Sequence, residues 1–499
     1  MRNIRVKNLH CIEDTGIIPL NGITLLVGAN STGKSTLLRV FPLLKQSLNY
    51  NKRGPILWYG DSVDFGSFQE AHRRGGEELS ISFTQRLELY NMYRQPSNPS
   101  LCKLDYIIDA RANEDYLKYF ALSFDDTKIE MNFTSGFRLK DLKINDWEVP
   151  QIANHILIPG YFHFVPQARF INSVKAPKGN GRRFNIKESD VIAKLYGNSG
   201  LQDFLTEERL VSFCETLRFE TADIVHEKIK AQETKKNPER DFLDINSSAF
   251  KKLYAILVLY NLEHLLMIAD HSLTEILGGI QYLGPYRASV ERYYRKQNLA
   301  VREIDPHGDN LPMFLSNLSD EENRELKQWM NENFGFYITI DSSKGHLSMM
   351  LVDKSDGEKY NLIDKGYGFS QVLPIIVMLW DIQTGRYRSL YSKTVILAIE
   401  QPELHLHPQL VKKLTNAFAI CLKNLRAHNM ECNIVLETHS PNVINKLGEI
   451  IYNKYLDKDD VSIVLFNGVT DFKDRSQVEI VHYNSEGILE SWPIGFLGV

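Results

Sequence analysis

Gly28-Ala29-Asn30-Ser31-Thr32-Gly33-Lys34-Ser35 places two glycines, a lysine and a hydroxyl at the spacing G-x-x-x-x-G-K-[ST]. Each type has a chemical reason. The glycines let the backbone turn so that consecutive N–H groups face a phosphate. A helix N-terminus just beyond adds partial positive charge. Lys34 reaches the outer phosphates of a nucleoside triphosphate, and the Ser35 hydroxyl ligates Mg2+. The pattern predicts ATP and Mg2+ as ligands, held by Asn30, Ser31, Thr32, Gly33, Lys34, Ser35 and Thr36. The alternative is a chance glycine-rich turn. Against it, the match lies between an apolar strand, Ile23–Val27, and helical apolar spacing over Thr36–Leu44, the setting a phosphate cradle needs.

A second constellation lies far downstream. Val395-Ile396-Leu397-Ala398-Ile399 is an apolar run closed by Glu400. A buried parallel strand there would bring the Glu400 carboxylate beside the Mg2+, as a Walker B acid does, so Ser35 and Glu400 are the expected metal ligands. The plain reading is a core strand ending in a solvated glutamate, and the upstream cradle weighs against it. Gln401 follows where many P-loop ATPases carry a second carboxylate. An amide orients water but cannot take its proton. Either hydrolysis is slow and ATP acts as a switch, or Glu400 or Glu403 is the base. His439, just after the apolar strand Ile434–Glu437, is placed to touch the γ-phosphate, with a satisfied loop histidine as the alternative. Glu400, Gln401 and His439 are thus the catalytic candidates.

The elements that must position these residues are read from periodicity. Ile4–Leu9 and Ile23–Val27 are strands, followed by the cradle and its helix. Leu79–Phe83, Leu104–Ile108 and Ile129–Phe133 suggest an antiparallel lobe beside the nucleotide. Residues 172–184 form a polar Gly- and Lys/Arg-rich loop, and 186–280 look mainly helical. Phe336–Ile340 and Leu347–Val352 suggest a hairpin. Ser370–Trp380 and Pro408–Ala427 suggest helices. Thr394–Ile399, Ile434–Glu437, Val461–Phe466 and Gln477–His482 suggest further strands. The fold class is α/β, with an inserted β-rich lobe and a mainly helical insertion. The expected divisions are 1–75 and 281–499 for the two halves of an ATPase head, 76–170 for the lobe and 171–280 for the helical insertion.

The 499 residues suffice for two or three domains, and 58 Lys plus Arg against 62 Asp plus Glu gives a formal net charge of −4. A whole-chain basic footprint is therefore lacking: nucleic acid is a possible partner that the charge does not indicate. Cys11, Cys102, Cys214, Cys421 and Cys432 form no CxxC pair, which argues against a zinc site or disulfide framework and fits a reducing cytoplasm. The opening MRNIRVKNLH reads as a strand, not a signal peptide, and apolar runs such as Val372–Trp380 are too short for a bilayer. The expectation is a cytoplasmic protein without a membrane partner.

Four stretches together resemble the ABC-type ATPase class that includes RecF, SMC and OLD-family ATPases. They are GANSTGKST at 28–36, GYGFSQVLPI at 366–375, IEQPELHLHP at 399–408 and ETHS at 437–440. Their order is that of Walker A, signature, Walker B with D-loop, and switch histidine. GYGFSQ resembles the variant signature of the OLD-like branch. The resemblance implies that Ser370 and Gln371 act in trans on the γ-phosphate held by another subunit, so that ATP joins two heads. Further segments, 282–295, 303–318 and 485–496, resemble prokaryotic OLD-like ATPases of the kind found in PARIS and Septu antiphage systems. The partners so implied are a second copy in a dimer or higher oligomer, a separately encoded toxin or nuclease effector, and a phage-encoded trigger. OLD nucleases carry a further nuclease domain. Residues 440–499 are too few for one, so a nuclease is expected on a separate chain. RecF-like DNA repair and a transporter engine are the rival readings.

Several residues stay open. His405 and His407 would share one face of a strand, as a metal pair or as interface contacts. Gln46 is a Q-loop equivalent or part of a polar helix face. Arg287 and Arg292 touch phosphate or a partner, or lie on a surface helix. Lys175, Lys178, Arg182 and Arg183 make a basic loop best read as solvated.

Overall fold

The computed structural model describes residues 1–50, 52–87, 100–111, 114–150, 156–157, 163–170, 192, 196–197, 201–202, 205–217, 220–232, 244–287, 289–354, 357–386, 393–467 and 477–490. The basic loop around Lys175–Arg183 lies outside them.

The chain builds an α/β fold on a six-stranded sheet. Its order is Ile280–Leu283, Thr394–Glu400, Glu431–Glu437, Ile23–Gly28, Val461–Phe466 and Val478–His482. The first five strands are parallel and the last is antiparallel. These strands are apolar almost throughout because helices or sheet cover both faces. Strand alternation divides their side chains between two cores. Leu26, Ile396, Ala398, Val435 and Val464 face the core shared with the antiparallel lobe. Leu25, Val27, Leu397, Ile399, Leu436 and Ile463 face the core beneath the helices Tyr367–Gln383, Pro408–Ala427 and Pro441–Tyr452.

The lobe is an antiparallel sheet running from Trp147–Glu148 through Leu139–Ile144, Thr127–Phe133, Glu114–Phe124, Ser100–Arg111 and Leu79–Leu87 to Asn3–Leu9 and Ile12–Asp14. The first strand of the chain therefore belongs to the lobe sheet, and the second apolar strand enters the central one. The helices Glu207–Thr216, Ala222–Gln232, Ser248–Tyr260 and Leu262–Gly278 follow, and the last packs on the lobe and the central sheet. The hairpin is Phe336–Ser343 against His346–Asp353.

Among the described residues no single helix is long and apolar enough to cross a membrane. The pair Ser248–Tyr260 and Leu262–Gly278 passes that test only jointly, across a 62° bend. Leu253, Leu257, Leu266 and Leu273 of this pair are buried in the lobe-side core.

Candidate nucleotide-binding site

The cradle follows the strand Ile23–Gly28 and opens the helix Lys34–Leu38. Gly28 has φ +150°, and a Cβ there would lie 2.4 Å from the Phe466 carbonyl oxygen on the neighbouring strand. Gly33 has φ +111°, and its Cβ would meet Ile12 at 2.9 Å. Both positions are closed to side chains, which is why the pattern demands glycine. Ser31 has φ +61°, so the loop turns through a left-handed residue as well. Thr32 Oγ1 and Lys34 Nζ both donate to the Ala29 carbonyl, at 2.9 and 2.5 Å. The ammonium is thus drawn across the loop mouth. Burial lowers the Lys34 pKa.

Two acids end adjacent parallel strands, with Glu400 in register with Glu437. Ser35 Oγ donates to Glu437 Oε1 at 2.8 Å. Burial pushes the Glu437 carboxyl up, and Glu400 adds to the push. Glu400 is held differently. Arg39 Nε and Nη2 donate to its two oxygens at 2.7 and 2.9 Å, and the Tyr282 hydroxyl donates to Oε1 at 2.6 Å. Arg39 lies just after the cradle helix, so the sequence positions this clamp as directly as it positions Lys34. The hydrogen bond to Glu400 raises the Arg39 pKa.

Gln401 sits at φ +44° with its N–H on the Glu437 carbonyl at 2.9 Å. Glu403 is partly buried, and its Oε1 accepts from Thr438 Oγ1 and from the His439 N–H, both at 2.8 Å. Burial raises the Glu403 carboxyl. Burial, with Lys34 nearby, lowers the His439 imidazole, which therefore favours its neutral form. The cradle, both strand-end acids, Glu403 and His439 meet at one end of the central sheet. Strand register makes that meeting possible, because it aligns the ends of Thr394–Glu400 and Glu431–Glu437.

The signature segment opens the helix Tyr367–Gln383 at Gly366, which has φ +91°. Ser370 and Gln371 are buried, at 6% and 1% exposure. Ser370 Oγ donates to the Tyr367 carbonyl at 2.6 Å, and Gln371 Nε2 donates to the Arg287 carbonyl at 3.3 Å. Tyr367 is half exposed and packs edge-on to His405, with ring centroids 5.2 Å apart. Gly368 lies against the same turn, where a Cβ would come within 2.8 Å of the His405 carbonyl oxygen.

The residues left open by the sequence resolve as follows. His405 lies in a turn at φ +61°, not on a strand, and His407 caps the helix Pro408–Ala427. Gln46 is on no polar face: it is buried and bonds the segment 57–63 through Leu57, Ser62 and Val63. Arg287 is on no surface helix. It is 3% exposed and donates to the Glu400 carbonyl at 2.8 Å, so its segment links the Glu400 strand to the signature helix. Arg292 pairs with Asp364 at the surface.

The donor set suits a hard cation. Glu437 Oε2 is buried without a hydrogen-bond partner, next to a serine hydroxyl. No cluster of three or more His, Cys, Asp or Glu that could hold a metal exists among the described residues. Mg2+ takes one or two protein oxygens, phosphate oxygens and water. Bound there, Mg2+ would neutralise charge on the outer phosphates. Lys34 and the loop N–H groups would hold those phosphates, and Gln401 could orient but not deprotonate water.

Comparison with curated proteins finds no match. Two solved structures align over most of the chain. One is an SMC head bound to the C-winged helix domain of ScpA, at 8% identity and TM-score 0.32, covering 96% of each chain. The other is an SMC head domain from Thermotoga maritima, at 7% identity and TM-score 0.32, covering 97% of this chain and 100% of that one. At that level of similarity neither carries weight for this chain. The sequence profile of the AAA ATPase domain matches residues 1–444, and the chain belongs to that family.

Proposed function

We propose that this ATPase works as a slow, ATP-operated switch. It holds Mg-ATP between residues 28 and 36 and pairs with further copies of itself through its heads. In that state it acts as sensor and scaffold for a separately encoded toxin or nuclease effector in antiphage defence, released by a phage-encoded trigger in the cytoplasm. The observation that carries the nucleotide part is the meeting of Lys34, Ser35 and two buried strand-end carboxylates at one sheet end. Slowness rests on Gln401, whose amide cannot serve as base. Pairing and the defence role rest on the resemblance carried by residues 366–375, 282–295 and 303–318.

The test is phage plating by cells carrying the chain with its neighbouring gene, wild type against Lys34→Ala. The expected outcome is loss of protection in the variant, with co-purification of the neighbour's product by the wild type. Full protection by Lys34→Ala would remove the ATP requirement. ATP-dependent, salt-sensitive duplex binding by the purified chain alone would instead favour the repair reading.

A further inference from the structure

We propose that the cleft walled by Arg2, Arg86 and Arg426 is a second anion site, built for a small molecule that bears a phosphate group. It lies where the central strands begin, and the cradle lies where they end.

The cleft has a volume of about 370 Å³. That is within the size range of small-molecule sites. The fold fixes its place. Asn21 precedes the strand Ile23–Gly28, and Glu431 opens the strand Glu431–Glu437. Both strands run from this cleft to the cradle end, a span of about 20 Å.

The three guanidiniums come from distant parts of the chain. Arg2 precedes the strand Asn3–Leu9, Arg86 lies near the end of Leu79–Leu87, and Arg426 is in the last turn of Pro408–Ala427. Antiparallel pairing of Asn3 with Thr84 brings the first two together. All three side chains are partly exposed, so a solute reaches them. Among the described residues Glu431 is the one carboxylate lining the cleft. Its Oε1 meets both Arg2 Nη2, at 3.3 Å, and Arg86 Nη1, at 3.1 Å. Two positive charges thus share one negative charge. Arg426 pairs with Asp460 and donates through Nη2 to the Asn21 carbonyl at 3.0 Å, which holds its side chain at the wall. The charge left over is positive. Guanidinium forks match phosphate oxygens, and a phosphate has enough oxygens to bridge several forks where a carboxylate has two. Leu20 and Met430 give an apolar wall for the organic part of the ligand.

Inorganic phosphate is the probe. It is titrated into the full chain at fixed ionic strength and followed by broadening of its phosphorus resonance. The wild type should bind it saturably, and succinate should displace it about tenfold less well than unlabelled phosphate does. Arg86→Gln should weaken binding by about tenfold, the worth of one charged hydrogen bond. Glu431→Gln removes the competing carboxylate and should tighten binding by about threefold or more. Opposite signs from two neighbouring groups separate this cleft from the cradle, which neither side chain reaches. Should Arg86→Gln fail to fold, Arg2→Gln is expected to weaken binding in the same titration. No saturable binding, equal displacement by succinate, weakening by Glu431→Gln, or binding that none of these variants moves would overturn the assignment.

Discussion

A carboxylate buried in a protein interior is stabilised by a proton, a cation or several donors, and the buried acids of this chain are held in different ways. Glu400 takes donors from Arg39 and Tyr282. Glu437 takes one from Ser35. Asp381, on the signature helix, takes the proton. It is 5% exposed, and burial pushes its carboxyl from 3.8 up to about 7 despite Arg386 Nη1 at 3.6 Å. The folded state therefore keeps a proton that the unfolded chain releases above 3.8. The stability this group contributes is present below that value and is lost as pH rises through about 7. Asp381→Asn should accordingly raise the melting temperature by a few degrees at pH ~8, and by far less at pH ~5. Melting curves of both proteins at the two pH values check this.

The residue scale is also where the sequence said most and missed most. The cradle was legible because each of its types has one backbone or phosphate reason to be there. Arg39 carried no such signature, being one arginine after an amphipathic start. Glu437 stands in the Glu-Thr-His-Ser stretch, where the sequence marks His439 more plainly. Only the parallel register of two strands separated by the whole helix Pro408–Ala427 sets it beside Glu400 and Ser35.

Helices with a clean stop and start were legible to the residue. Pro408–Ala427 begins at a proline, tolerated at a first turn, and its apolar face is continuous. The single helix expected over Thr36–Leu44 is instead two, Lys34–Leu38 and Val40–Asn49, broken at Arg39. Pro42 explains the second start: it has no N–H to give and therefore sits within the first turn of a new helix. Ile280–Leu283 escaped notice as a strand because four residues show no usable period, yet it holds the edge of the central sheet.

Gln46 shows how one polar side chain can secure a segment without regular structure. Its amide makes four hydrogen bonds, to Leu57, Ser62 and Val63, and is 2% exposed. The substitution Gln46→Leu fills similar volume but takes the partners from the Leu57 carbonyl and the Val63 N–H, while the Val63 carbonyl keeps the Gly60 N–H. A loss of about 2–4 kcal/mol is expected, read as a lower denaturant midpoint with unchanged slope.

At the scale of the molecule, two sheets and two cores meet along the central strands, and the cradle end of those strands gathers Lys34, Ser35, Glu400, Glu437 and His439. The lobe sheet contributes Ile12, which closes over Gly33, so the antiparallel part of the fold reaches the phosphate loop. On the other side, the Arg287 segment and the 402–407 turn join the signature helix to the same strand ends. Exposed Tyr367 opens the helix Tyr367–Gln383 on that side. The α/β class with its inserted lobe was legible from strand periodicity and motif order. The interleaving of the first strand with the lobe was not, because pairing partners some 75 residues apart leave no local mark.

The most direct test of this account is a calorimetric titration of the purified chain with Mg-ATP, wild type beside Lys34→Ala. Saturable binding by the wild type, weakened by about tenfold or more when the ammonium is removed, is the predicted result. Equal affinity in the two proteins, or no binding by the wild type, would contradict it.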